Sequence, residues 1–172
     1  MRIHSSEQSE RLWIIIIDNN QKSVSSLRRS RFFYGVPLTS APAACRTIAD
    51  FLNDTNTSPE DYDMILTGDL GAVGSELLCE LMVKQENIDI SSVHSDCGLM
   101  LYDLEKQKDV GAGGSGCGCS GAVLCSDIFG RMENGELKKV LFVGTGALMS
   151  SVSSLQSESI PSIAHGILLT GR

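Results

Sequence analysis

Apolar positions along the chain fall into short β-branched runs separated by stretches with helical spacing. The run at residues 12–17, LWIIII, is continuous, which predicts a strand buried on both faces at the centre of a sheet. Similar runs predict buried strands at residues 64–67 and 139–145 and a last strand at 164–170. The residues at 88–93 predict another short strand.

Between these runs, apolar residues recur with the spacing of amphipathic helices. One helix is predicted from Ala41, because Ser40 and Pro42 stand at typical cap and first-turn positions. A second helix is predicted after Gly71. A third, at about residues 120–132, has apolar residues around much of its circumference, which predicts burial on more than one side.

The alternation of strands and helices predicts an α/β fold. Its sheet is expected to be mostly parallel, with an antiparallel pair of C-terminal strands and helices packed on it. Residues 1–40 are poorly interpretable apart from the strand at 12–17, whereas residues 41–172 are expected to form one unit. Ligand sites in such sheets lie at the carboxyl ends of the strands.

Charge and composition exclude some classes of function. The 172 residues are 42% apolar and 20% charged and carry a formal net charge of -7, which argues against a nucleic-acid surface. The first eleven residues are polar, and the apolar run after them is too short to span a bilayer. We therefore expect a cytoplasmic protein with reduced thiols and no transmembrane segment.

A glycine-rich turn at residues 111–124 leads directly into the third predicted helix. It lacks the Lys of a phosphate-binding P-loop and the preceding strand of a dinucleotide fingerprint. Two interpretations remain open. Its backbone amides form a cradle for an anion or a carbonyl group, or its small residues let the helix start pack closely against the sheet.

The six cysteines divide into two groups. Cys45, Cys79 and Cys125 stand at apolar helical positions and are predicted to pack as small hydrophobes. Cys97, Cys117, Cys119 and His94 are the possible metal ligands, although the spacing is poor for zinc. A thiol at a helix start is also a possible nucleophile, but no His is near it in sequence. A structural role is favoured for His165.

Asp69 follows the predicted strand at 64–67 and places a carboxylate at the expected site edge. Aspartate is also common as a helix cap or turn residue, and this interpretation is favoured. Asp96 has the same two interpretations.

Several motifs together resemble the C-terminal half of the stage V sporulation protein AD family, within the thiolase-like superfamily of endospore-forming bacteria. The resemblance covers about residues 41–166, in the expected order. It is carried by DYDMILTGDLGAVGSELL, SDCGLMLYD, AGGSGCGCSGAV, KKVLFVGTGALMS and ESIPSIAHG.

The resemblance implies one half of a two-half fold, with the third helix lying between two sheets. It also implies that the catalytic residues of condensing enzymes are missing. Their His position has Gly68 and Asp69, their Asn position has Ser115, and a further Cys position has residues 144–146, GTG. The nucleophilic Cys belongs to the other half. We therefore expect a protein that is not an enzyme and needs no cofactor or metal.

The function implied is sporulation, through uptake of dipicolinic acid with calcium together with membrane proteins of the same operon. Asp69, Ser115, Gly116 and Cys117 are the expected ligand-binding residues. The expected location is the forespore or mother cell, peripheral at the inner spore membrane through partners. A truncated half also predicts an exposed apolar patch, self-association or a separate N-terminal half, and no nucleic-acid partner.

Two alternatives remain. The chain is a residual acyltransferase that uses Cys117, or it is a degenerate gene fragment without independent function.

Overall fold

The computed structural model describes residues 15–18, 35–111, 113, 117–147 and 162–171. Three strands run parallel through the sheet: β2 (Met64–Thr67), β3 (His94–Asp96) and β4 (Lys139–Ala147). β4 then pairs antiparallel with β5 (Ser162–Thr170), which pairs antiparallel with β1 (Ile15–Asp18). The strand order is β1-β5-β4-β2-β3, so the predicted mostly parallel α/β sheet with an antiparallel C-terminal pair is confirmed.

The helices differ more from their predicted bounds. α1 spans Gly35–Thr55, and α2, Gly71–Leu81, continues as a π-helical turn at Met82–Glu86. α3 is the short helix Cys97–Leu101. The third predicted helix comprises α4 (Cys117–Val123), a π-helical turn (Leu124–Ile128) and α5 (Phe129–Glu133), which together form the α4–α5 helix.

Helices cover both faces of the sheet. On one face, α1 and α2 bury a core that includes Ile48, Phe51, Ile65 and Leu78. On the other face, the α4–α5 helix buries Val123, Ile128 and Met132 against strand residues such as Leu66 and Phe142. The strands in the middle are therefore buried on both faces, as their continuous apolar runs predict.

Two strand predictions are wrong. β1 lies at one edge of the described sheet rather than at its centre, since β5 is its partner. The strand predicted at 88–93 is replaced by a turn, and β3 begins at His94. Asp89 Oδ1 accepts hydrogen bonds from the Ser91 amide at 2.9 Å and its hydroxyl at 2.6 Å, and such local bonds compete with strand pairing.

The predicted start of the first helix is also wrong. α1 begins at Gly35 and crosses the 40/41 boundary, so that Ser40 and Pro42 lie inside the helix. Ala41 and Ala44 are fully buried, and Ala43 is nearly so. Burial of this small-residue face outweighs the preference of proline for a first turn.

Candidate functional site

The carboxyl ends of β2 and β3 meet beside the middle of β4, whose pairing with β2 ends at Val143. Thr67 pairs in register with Asp96 on one side and with Val143 on the other. The Gly68 amide continues this pairing and donates to the Val143 carbonyl at 2.9 Å. We call residues 68–71, 96–98, Ser120 and Thr145 the strand-end corner.

Asp96 organises the corner and is fully buried. Its Oδ1 accepts hydrogen bonds from Thr67 Oγ1 at 2.6 Å and from the Leu70 amide at 2.8 Å. Its Oδ2 accepts from the amides of Gly71 and Gly98, both at 3.0 Å. One carboxylate therefore satisfies the first amides of both α2 and α3, which confirms that Asp96 is a helix cap.

Asp69 lies beside the same loop. A Cβ added at Gly98 would lie 2.6 Å from Asp69 Oδ1 and 3.0 Å from Asp96 Oδ2. Only glycine leaves enough room for the two carboxyl groups to approach this loop from β2 and β3. The predicted cap role of Asp69 is not supported for α2, because Leu70 is the N-cap and the carboxylate that binds the first amides belongs to Asp96.

A second close approach joins β2 to the α4–α5 helix and β4. Ser120 Oγ donates to the Gly68 carbonyl at 3.0 Å. A Cβ at Gly68 would lie 2.9 Å from Ser120 Oγ and 3.2 Å from the Thr145 amide. The structure thus brings together Gly68, Ser120 and Thr145, which are far apart in sequence.

The expected ligand-binding residues divide accordingly. Asp69 lies in the corner and is partly buried. Ser115 and Gly116 lie outside the described residues, and Cys117 is described only as the first residue of α4. The sequence interpretation missed Ser120 and Thr145. The only sequence signal for them was their position within the GCGCSGA and GTG runs.

The Cys97 thiol in the corner is protonated at neutral pH, as its burial explains. Cys97 and Cys119 are fully buried. Burial, followed by the charge of Asp96, raises the pKa of Cys97 to about 12. A thiol with such a pKa is a poor nucleophile and metal ligand at neutral pH. Among the described residues, no group of three or more His, Cys, Asp or Glu side chains is placed to hold a metal ion.

Among the described residues, the α4–α5 helix is buried on one side, against the sheet, whereas the sequence pattern predicted burial on more than one side. Its outward side has small, uncharged, exposed residues and carries Cys125 at the surface, contrary to the predicted packing of this thiol. The large exposed apolar side chains lie elsewhere, notably at Leu99, Met100 and Leu101 of α3. We call the outward side the outer helix face; it comprises Gly118, Gly121, Ala122, Cys125 and Ser126.

Comparison with known proteins identifies the family. The family model described as stage V sporulation protein AD matches residues 35–170, from the first residue of α1 to the last of β5. The chain belongs to this family. A role in sporulation follows from that membership. The match starts upstream of Ala41, so the family's segment includes all of α1.

One relative in this family is the stage V sporulation protein AD of Bacillus subtilis (strain 168). It is 45% identical to this chain over 128 residues, which are 74% of the chain and 37% of the relative. The chain therefore matches little more than a third of the relative's length. Within the described part of the chain, no helix is long and apolar enough to cross a bilayer.

Proposed function

We propose that the chain is a non-enzymatic, thiolase-like binding or scaffold protein in the uptake of dipicolinic acid during sporulation. In this proposal it acts in the forespore or mother cell, at the inner spore membrane, through membrane proteins of the same operon. Membership in the stage V sporulation protein AD family supports the sporulation context. The chemistry of the strand-end corner supports a binding role without catalysis.

The proposal that the chain is not an enzyme rests on the burial of the corner's described thiols and on the hydrogen bonds of its Asp96 carboxylate. Cys97 is buried and its pKa is raised to about 12, so this thiol does not favour acyl transfer. Asp96 is occupied by four hydrogen bonds that hold the backbone. These groups serve the geometry of the corner, which suits a rigid binding surface.

The charge at the corner determines which form of the ligand we expect. Dipicolinate is a planar aromatic dianion, and the Asp69 carboxylate beside the loop would repel it. Its calcium chelate is neutral, and calcium readily accepts a further carboxylate oxygen. We therefore expect the chelate to bind, with Asp69 facing the calcium and residues 115–117 contributing to the ligand cradle.

Isothermal titration calorimetry tests this proposal. Dipicolinate is titrated into the protein with and without an equal concentration of calcium. Saturable heat that needs calcium is expected, and it should be lost in Asp69→Asn and weakened in the Ser115→Ala, Cys117→Ala double variant. The exposed Asp54→Asn is the matched charge control and should bind like the wild type. Absence of heat at millimolar chelate would refute the binding function.

The outer helix face supports a partner. An exposed helix side composed of glycine, alanine, serine and cysteine permits close approach of another backbone, and it carries no charge that such contact would desolvate. We propose that a second copy of this chain packs on this face.

A further inference from the structure

A second polar cluster begins at the first residue of β3 and runs toward α2. His94 Nε2 lies 3.1 Å from Thr67 Oγ1, and His94 Nδ1 lies 3.7 Å from Cys79 Sγ. Cys79 and His94 are both partly exposed. The cluster thus connects a thiol on α2 through an imidazole and a hydroxyl to the buried Asp96.

The directions of the hydrogen bonds follow from the carboxylate. Thr67 has one hydroxyl proton, and its 2.6 Å contact with Asp96 Oδ1 is shorter than its 3.3 Å contact with the Ser95 carbonyl. The proton is therefore donated to Asp96, and the Thr67 oxygen accepts from His94 Nε2–H. His94 Nδ1 is then left as an acceptor that faces the Cys79 thiol.

This arrangement has the geometry of an activated nucleophile, which is a thiol beside a base that a third group orients. We propose that Cys79 is a thiol–disulfide exchange site, with His94 as its base, for small disulfides that are neutral or cationic. Packing alone would explain why the Cys79 thiol lies against the core. It would not explain why His94 Nδ1 faces that thiol as an acceptor while Nε2–H donates to Thr67.

The exchange balances without another reactant. Cys79 Sγ attacks one sulfur of the disulfide while its proton passes to His94 Nδ1. The disulfide's S–S bond breaks as the new one forms, and the leaving thiolate takes the proton from Nδ1. The products are a mixed disulfide on Cys79 and one free small thiol.

The charges around the pair determine its pH dependence. Burial raises the pKa of Cys79, the Ser91 hydroxyl partly offsets the rise, and the charge of Asp89 adds to it. Burial also lowers the pKa of His94 to about 4. The resting pair is therefore an uncharged thiol and a free base, and the base stays available across pH 5–8. The Thr67 hydroxyl lies between Asp96 and His94 and contacts both.

The same surroundings select the disulfide. The Asp89 carboxylate faces Cys79 from the loop before β3, and the whole chain has a formal net charge of -7. An anionic disulfide such as oxidised glutathione should be repelled, whereas the dication cystamine should be attracted. Added salt should reduce the difference between the two.

The experiment measures the rate of mixed-disulfide formation with cystamine at each cysteine, by peptide mass spectrometry at pH 5, 6, 7 and 8. Cys125 is exposed and is the internal reference. Without a neighbouring base, thiol–disulfide exchange slows about tenfold for each unit by which the pH is lowered over this range, because only the thiolate reacts. The Cys79 rate should change less than about threefold over the range, and His94→Gln should restore the tenfold dependence.

His165→Gln is the matched control and should leave the Cys79 profile flat, since His165 lies in β5 rather than beside Cys79. The wild-type comparison of Cys79 with Cys125 needs no substitution, so a poorly folded variant does not weaken the test. Parallel pH profiles at the two cysteines, no reaction at Cys79, or faster reaction with oxidised glutathione than with cystamine would each overturn the proposal.

Discussion

Replacement of Asp96 by Asn tests whether this carboxylate holds the strand-end corner together. The side chain accepts four hydrogen bonds, two at each oxygen, and is fully buried. An asparagine has nearly the same shape, but one oxygen becomes an NH₂ group. With its NH₂ group toward Gly71 and Gly98, two amides face a donor. With it toward Thr67 and Leu70, the Leu70 amide faces a donor, while the Thr67 hydroxyl can turn to the Ser95 carbonyl at 3.3 Å.

The expected cost follows from these four contacts. One or two hydrogen bonds to a charged acceptor are lost, at about 1.5–3 kcal/mol each, which gives roughly 1.5–6 kcal/mol. Removal of a buried charge relieves part of its desolvation cost and offsets some of this loss. We therefore expect the free energy of unfolding to fall by about 2–4 kcal/mol, with a melting temperature lower by roughly 5–15 °C.

The assay is urea unfolding followed by far-ultraviolet circular dichroism, together with a thermal melt. Asp54→Asn removes an exposed carboxylate and should change stability by less than about 0.5 kcal/mol. A loss of less than about 1 kcal/mol in Asp96→Asn would show that the four contacts do not stabilise the fold as argued.

Three other predictions concern stability and assembly. Gly98→Ala should destabilise the chain by about 1–3 kcal/mol, since the new Cβ would lie 2.6 Å from Asp69 Oδ1. Gly121→Ala should instead stabilise it by about 0.5–1 kcal/mol, because nothing lies within 4 Å of the new Cβ. Equal effects of the two substitutions in urea unfolding would contradict this prediction. Burial lowers the pKa of His94 to about 4, so the unfolded chain binds more protons than the folded chain between pH 6.5 and 4. The free energy of unfolding should therefore decrease by roughly 2–4 kcal/mol as the pH falls through that window. His94→Gln should lack this part of the pH dependence in the same unfolding assay, and an unchanged slope would count against it. Ala122→Glu places a charge on the outer helix face and should shift sedimentation toward the monomer. Glu133→Ala, at the end of α5, should leave sedimentation unchanged. If the wild-type chain itself sediments as a monomer, the proposed self-association is wrong.

The local sequence pattern predicted the strands that are buried on both faces of the sheet. Met64–Thr67 and the strand from Lys139 are buried on both faces, so their continuous β-branched runs indicate them directly. The same pattern in residues 12–17 predicted a strand but not its place. Strand order depends on pairing between distant segments, and the run contains no information about it. β1 accordingly lies beside β5 at an edge.

The candidate site was only partly predictable for a similar reason. Asp69 could be predicted because a carboxylate after a buried strand lies at the carboxyl edge of a parallel sheet. Ser120 and Thr145 could not, since no spacing relates them to Gly68. The sheet register and the α4–α5 helix bring them within contact. Asp96 left two interpretations open, and only its four backbone and hydroxyl partners identify it as a cap.

The two aspartates of the corner have different consequences for a ligand. The Asp96 carboxylate binds groups of the protein, because all four of its described hydrogen bonds come from Thr67 and backbone amides. Asp69 stands beside the same Gly98 loop, yet the α2 amides are bound by Asp96. In the proposed function, Asp69 is therefore the carboxylate of the corner that faces the ligand. A carboxylate in that place would repel free dipicolinate, which is why the proposal expects its calcium form to bind.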